Sequence, residues 1–192
     1  MIYAESSDIP TMEASELNQR AARVKLLLMD VDGVLTDGKL HYAPGPGGGV
    51  VETKAFDSQD GIALRWALTA GMKTGMISGG DSEVVEARAQ RLGCSYVYQR
   101  RLEKIPVLEE ILAKEGIGPE AVAYIGDDLT DAVIMRRVGI SFATANARPE
   151  VKRVADIVTV NRGGQGAVRE VVELLLKARG EWENILRHYE VD

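Results

Sequence analysis

Short apolar runs alternate with amphipathic stretches along most of this chain, and no other feature limits its fold as tightly. Apolar runs at 24–29, 73–77, 96–98, 122–125, 140–143 and 157–160 predict strands. Between and after them, 61–70, 82–92, 104–115, 131–138, 149–155 and 167–178 predict helices. The last of these carries Val168, Val171, Val172, Leu175 and Leu176 on one face. A polar helix over 13–24 leads into the first strand. Strands that alternate with helices form a parallel sheet covered on both faces. The expected fold is therefore α/β: a doubly wound, Rossmann-like, mainly parallel sheet with helices on both sides.

One segment breaks the alternation. Two short strands, at 39–43 and 50–55, flank Pro44-Gly45-Pro46-Gly47-Gly48-Gly49, which cannot continue a strand. This predicts a β-hairpin flap over 39–55. At 192 residues the chain suits a single domain over 1–192, with a tail at 180–192. Apolar Trp182, Ile185, Leu186 and Tyr189 punctuate that tail, which either extends the last helix or docks elsewhere. Residues 1–10 read as a flexible leader, with neither the basic start nor the apolar core of a secretory signal. No run approaches the roughly 18 apolar residues of a membrane span. Cys94 is the only cysteine, so internal disulfides and cysteine-built zinc sites are excluded. A net charge of −6 argues against a nucleic-acid surface. A cytoplasmic protein with no nucleic-acid and no membrane partner is expected.

In open α/β sheets, ligands bind beyond the carboxyl ends of the strands. The residues that follow each strand therefore matter most. Asp30-Val31-Asp32-Gly33-Val34-Leu35-Thr36 follows the first strand. Ser78-Gly79-Gly80-Asp81 follows the strand at 73–77 and opens a helix. Lys104 starts the helix after the strand at 96–98. Gly126-Asp127-Asp128-Leu129-Thr130-Asp131 follows the strand at 122–125.

These parts suit phosphoryl transfer through an aspartyl-phosphate. Two carboxylates at the end of a buried strand are costly unless a cation compensates them. An anionic nucleophile approaching a phosphate ester meets about 4 kcal/mol per charge pair at about 4 Å and an effective dielectric of about 20. Magnesium, which favours a few carboxylates plus phosphate oxygens and waters, would remove most of that barrier. Asp30 and Asp127 supply carboxylates for it, and Asp131 is placed to orient a metal-bound water. Ser78 can donate its hydroxyl to phosphate, with the backbone N–H groups at Gly79 at a helix start, where anions are favoured. Lys104 brings a fixed positive charge. Asp32 is then free to act as acid and later as base.

Each part alone has a simpler explanation. A lone Asp-x-Asp is often a solvated turn or a calcium loop. Here Val34 and Leu35 stand where an EF-hand needs Asp or Asn and then Gly. Gly126-Asp127-Asp128 would serve as a helix cap. Ser78-Gly79-Gly80 would serve as a turn, and Lys104 as a solvated helix residue. Their order, each after its own strand, favours a shared site. His41 and His188 have no spaced partner and read as surface or interface residues, Trp66 as packing, and Glu181 and Glu183 as a solvated face. Cys94 reads as a small core residue, and Arg100 and Arg101 as either anion-binding or loop residues.

With these residues in place, the chain resembles the phosphohydrolases of the haloacid dehalogenase superfamily. Within it, 30–38, Ala55-Phe56 with Asp60-Gly61, Lys104, 122–131 and Gly163-Gly164-Gln165-Gly166 are similar to the capless 3-deoxy-D-manno-octulosonate 8-phosphate phosphatase family. The resemblance covers approximately 24–178. It implies a magnesium-dependent phosphatase of lipopolysaccharide biosynthesis acting on a small phosphorylated sugar acid. It implies Asp30 as nucleophile and Asp32 as acid and base. Asp30, the Asp32 carbonyl and Asp127 would bind Mg2+, with Asp128 and Asp131 behind them. Ser78, Gly79, Lys104, Asp60, Gly61, Arg65 and Arg88 would bind phosphate and substrate. It further implies a homotetramer whose flaps pack against neighbouring subunits and help close each site. The chain departs from that family at Gly80 and Gln59, where the octulosonate enzymes usually or often carry arginine, a residue suited to carboxylate recognition.

Two other functions compete. A non-catalytic phosphosugar-binding or regulatory protein on the same fold is suggested by Gly80 and Gln59, but such a protein needs no Asp32. A signalling receiver domain also uses an acidic pocket, a hydroxyl residue and a lysine. Its phosphoacceptor, however, follows a central strand, not a first-strand Asp-x-Asp.

Overall fold

β1 (Leu26–Met29) is buried along its whole length, and its side chains divide between two cores. Successive residues of a strand point to opposite faces. Leu27 and Met29 accordingly join one core, and Leu26 and Leu28 the other. The strand therefore lies at the centre of a sheet covered on both sides, as the unbroken apolar run requires. The computed structural model describes residues 14–191. The leader expected over 1–10 lies outside the described residues.

Six parallel strands are ordered β5-β4-β1-β6-β7-β8. They are β4 (Lys73–Ile77), β5 (Tyr96–Tyr98), β6 (Val122–Gly126), β7 (Ile140–Ala143) and β8 (Ile157–Val158), around β1. One face is covered by α2 (Ser58–Thr69), α3 (Glu83–Leu92) and α7 (Ala167–Ala178), with α1 (Ala14–Ala22) packed on α7. The other is covered by α4 (Ile105–Glu115), α5 (Leu129–Met135) and α6 (Pro149–Lys152). In register, Met29 stands level with Met76 on one side and Ile125 on the other. The chain leaves β1 toward β4 and later returns to β6 on its far side. The carboxyl ends of β1, β4 and β6 thus meet at the switch point where such sheets bind ligands.

The hairpin is a separate antiparallel pair, β2 (His41–Pro44) and β3 (Val50–Thr53), with His41 opposite Thr53. Pro46–Gly48 forms a 3-10 turn at its tip. Leu40, Tyr42, Val50 and Val51 are all exposed. β3 ends at Thr53, two residues before the expected limit, where its pairing with β2 stops at His41.

The tail forms its own helix, α8 (Trp182–His188), after a turn at Gly180 with φ of 72°. It folds back on its own chain: Ile185 is buried, and the Trp182 and Tyr189 rings meet Trp66 edge-on. Other boundaries shift for local reasons. α2 starts at Ser58, three residues earlier than expected, because Asp57 caps it by accepting from the Gln59 amide at 2.6 Å. α5 starts at Leu129 and stops at Met135 where 131–138 was expected; Asp128 caps it and Asp131 closes a capping box. α6 ends at Lys152, short of 155, and β8 pairs only over two residues.

Candidate active site

The loop after β1 is tied before it carries any chemistry. Thr36, 1% exposed, places its hydroxyl among the Gly33 and Gly38 amides, the Val31 carbonyl and Asp32 Oδ1, at 3.2–3.4 Å. Gly33 adopts a φ of 86°, and a side chain there would run into the Asp127 carboxylate. The Gly33 carbonyl accepts from Asn146 Nδ2 at 2.9 Å and Thr144 Oγ1 at 3.3 Å. Asn146 in turn accepts from the Gly163 amide at 2.6 Å. A side chain at Gly163 would strike the Gly33 carbonyl, which explains the late glycines: two backbone segments touch here. Thr144 and Asn146, which brace this loop, carried no recognisable sequence signal.

Asp30 follows β1, its amide bonded to the Ile125 carbonyl at 3.1 Å. Lys104, which immediately precedes α4 and is 1% exposed, lies 3.1 Å from Asp30 Oδ1 and donates to Asp131 Oδ1 at 2.6 Å. The buried Tyr124 hydroxyl from β6 also donates to Asp131 Oδ1, at 2.6 Å. Asp131 Oδ2 accepts the Asp127 and Asp128 amides at 2.9 and 3.1 Å. Both Asp131 oxygens are thus taken. It holds Lys104 and the β6–α5 loop in place beside Asp30 and Asp127. Asp128 serves as a cap, accepting from the Leu129 amide at 2.7 Å.

Oxygens of Asp30, Asp127 and Asp131 lie within 4.8 Å of one another. Burial, reinforced by Asp131, pushes the Asp30 carboxyl up to about 6 against the pull of Lys104. Burial, then Asp131 and Asp30, pushes Asp127 up to about 7. Burial also works to lower Lys104, but Asp131 and Asp30 more than offset it and hold the ammonium above its ordinary range. One lysine does not balance this many carboxylates. Asp127 Oδ1 is buried without a hydrogen-bond partner among the described residues. Hard oxygens, excess negative charge and an orphaned carboxylate oxygen fit a cation such as magnesium.

A cleft of about 380 Å³ opens above, lined by Asp32, Gly38, Lys54, Ser78, Gly80 and Gln99 among others. Ser78 is buried, and its Oγ accepts from the Gly80 amide at 3.0 Å, so its hydroxyl proton is free for an anion. Gly79 and Gly80 do not open a helix as expected. α3 begins at Glu83, and the intervening loop is held by the Ser82 amide on Gln99 Oε1 at 2.7 Å. Leu102 packs directly over Gly79. A larger, open hollow of about 530 Å³ beside it, lined by Arg100, Leu102 and Glu110, contains none of the acidic cluster.

Within the chain, four expected substrate residues lie elsewhere. Asp60 is buried and accepts the Arg169 amide at 2.8 Å, so it anchors the first turn of α7. Burial raises it to about 6 against the pull of that amide. Gly61 leaves room for Arg88, whose guanidinium sits over the Phe56 ring and donates to the Asp57 carbonyl at 3.1 Å. Arg65 donates to the Arg91 carbonyl at 3.1 Å and lines a hollow against α8. Gln59 lies near the start of α7, outside the cleft, while Gly80 lines it. Sequence reasoning missed Lys54, whose Nζ donates to Asp32 Oδ1 at 2.6 Å. The alternation Glu52-x-Lys54 was the available signal, since it puts both charges on one face of a strand.

Among the described residues no helix is long and apolar enough to cross a membrane. Residues 82–171 match the family model of haloacid dehalogenase-like hydrolases. The chain is 42% identical over 168 residues to 3-deoxy-D-manno-octulosonate 8-phosphate phosphatase KdsC of Escherichia coli, covering 88% of this chain and 87% of that protein. The crystal structure of the Yersinia pestis 3-deoxy-D-manno-octulosonate 8-phosphate phosphatase superposes with a TM-score of 0.83 at 42% identity, over 89% of this chain and 90% of that one. The Moraxella catarrhalis phosphatase of that name, crystallised with a magnesium ion, a phosphate ion and a KDO molecule, superposes with a TM-score of 0.87 at 38% identity, over 92% and 99%. The chain belongs to the haloacid dehalogenase-like hydrolases and, within them, to the 3-deoxy-D-manno-octulosonate 8-phosphate phosphatase family.

Proposed function

We propose that this chain is a magnesium-dependent phosphomonoesterase that hydrolyses 3-deoxy-D-manno-octulosonate 8-phosphate or a related 2-keto-3-deoxy sugar-acid phosphate. The observation that carries this is the buried Asp30–Lys104–Asp131 cluster beside Asp127, whose Oδ1 lacks a partner. Asp30, Asp127 and the Asp32 carbonyl would hold Mg2+, which when bound screens the phosphate charge from the attacking carboxylate. Ser78 donates its hydroxyl to a phosphate oxygen, and Lys104 orients Asp30 and keeps its attacking oxygen anionic. The carboxylate of Asp30 attacks phosphorus. The ester P–O bond breaks, its electron pair stays on the sugar oxygen, and that oxygen takes a proton from Asp32. Water then attacks the aspartyl-phosphate, gives its proton to Asp32, and phosphate leaves with Asp30 restored. A binding protein without turnover would have no use for Asp32.

The exposed apolar side chains of the flap support a homotetramer in which neighbouring subunits cover the cleft. A single free thiol, Cys94, suits a cytoplasmic location. Phosphate release from a panel of phosphosugars, with and without magnesium, tests the activity. The expected result is magnesium-dependent turnover with preference for the phosphorylated sugar acids. No release from any member by wild type would sink the proposal.

A further inference from the structure

Lys54 sits one residue beyond β3, on the most exposed element of the fold, yet its side chain is only 3% exposed. Its ammonium points into the cleft. Nζ donates to Asp32 Oδ1 at 2.6 Å and lies 3.2 Å from Glu52 Oε1. The Glu52 contact is ionic, since that oxygen lacks hydrogen-bond geometry to any described group. Thr36 Oγ1 stands 3.4 Å from the same Asp32 Oδ1. An ammonium offers donors only, so an oxygen that it grips cannot also carry the proton of the acid. Asp32 Oδ2 is left facing the cleft. A side-chain carbon at Gly80 would stand 3.6 Å from that Oδ2 and 3.5 Å from Ser78 Oγ, so the two oxygens look onto the same small space. A phosphate held by Ser78 would bring its ester oxygen next to Oδ2.

We propose that Lys54 is a positioning residue for proton transfer: it grips Asp32 through Oδ1 and aims Oδ2 at the leaving oxygen, which makes the base of the flap part of the catalytic apparatus. The inference rests on the phosphatase function above. As the ester P–O bond breaks, its electron pair stays on the sugar oxygen and the proton on Oδ2 moves to that oxygen. The task differs from that of Lys104, which touches the nucleophile. A general acid matters most when the leaving group is a poor one. Sugar alkoxides need that proton, whereas p-nitrophenolate leaves without it.

The test compares kcat/KM of wild type, Lys54→Met and Lys54→Arg on octulosonate 8-phosphate and on p-nitrophenyl phosphate. Lys54→Met is expected to lose about 100-fold on the sugar ester and less than about fivefold on the aryl ester, while Lys54→Arg, which still donates to Oδ1, stays within about tenfold of wild type on both. Equal losses on the two esters, or no loss on the sugar ester, overturn the assignment and leave the phosphatase function standing. Wild type that releases phosphate from neither ester overturns both. If circular dichroism finds Lys54→Met unfolded, the neutral Lys54→Gln carries the same test, with the ratio between esters required to move by at least about tenfold.

Discussion

Lys104 and Lys54 are each held between two carboxylates, one on the parallel sheet and the other at the base of the flap. Lys104 heads α4 and faces Asp30 and Asp131, whose side chains are 12% and 0% exposed. Lys54 follows a strand open to solvent and faces Asp32 and Glu52, which are 31% and 26% exposed. The first cluster is locked by Tyr124 and by the backbone of the β6–α5 loop. The second depends on a two-stranded hairpin, which alone is marginally stable in water. The difference separates the two jobs. On the proposed mechanism, attack on phosphorus would come from the buried core cluster, and the proton from a carboxyl shared with the solvent-open flap.

The largest way to sharpen this contrast is at the two aspartates. Asp30→Asn is expected to lower kcat/KM at least about 10⁴-fold on every phosphomonoester. Asp32→Asn should lower it about 10²- to 10⁴-fold on the sugar ester but far less on an aryl ester. The lysines should differ in stability. Lys104→Met strands buried carboxylates and should cost about 3–5 kcal/mol in urea unfolding of the metal-free protein. Lys54→Met, whose partners are partly solvated, should cost no more than about 1 kcal/mol. Equal losses would break the comparison.

A pH effect comes next; of the two lysine clusters it belongs to that of Lys104, and the buried Asp60, also raised to about 6, adds to it with the same sign. Asp30 and Asp127 are raised to about 6 and about 7, so without metal the folded state holds protons that the unfolded chain has already released. Their contribution is full below about pH 4 and is lost as pH rises through about 6 to 7. The midpoint of thermal unfolding in chelator should therefore fall from pH 5 to pH 8. Magnesium should restore it at pH 8, and Asp127→Asn should flatten the slope. A midpoint that rises over this range in chelator contradicts the buried cluster. The smallest effect on activity is expected at Asp60. Asp60→Ala loosens the first turn of α7 and should cost about 0.5–2 kcal/mol while kcat/KM changes less than about threefold.

The sheet was legible because its strands are apolar runs and its helices are amphipathic, signals that survive without tertiary context. The grouping of the residues that follow the strands was legible for a similar reason: position after a strand is topological, and Asp30, Ser78, Lys104 and Asp127 all lie on the rim where β1, β4 and β6 end. What stayed hidden depends on which way a side chain turns. Asp60 reads the same whether it binds a ligand or anchors the start of another helix, and only the fold places Arg169 against it. The partners of Asp131 were hidden as well: only the fold brings Lys104, Tyr124 and two backbone amides onto its oxygens. Arg65 and Arg88 follow the course of α2 and α3 away from the cleft. For Lys54 the alternation with Glu52 marked a shared face, but not that this face lands on Asp32, which is set by where the flap packs.

The proposed division of labour between Asp30 and Asp32 is open to one direct measurement. An aryl phosphomonoester labelled on phosphorus would be mixed with enzyme and magnesium, quenched in acid within a turnover, and the label mapped on the chain. Asp32→Asn should trap label on Asp30, because the aspartyl-phosphate forms without a general acid but lacks the base that hydrolyses it. Asp30→Asn should carry none. Label on Asp30→Asn, or label that maps to any other residue, would contradict the account.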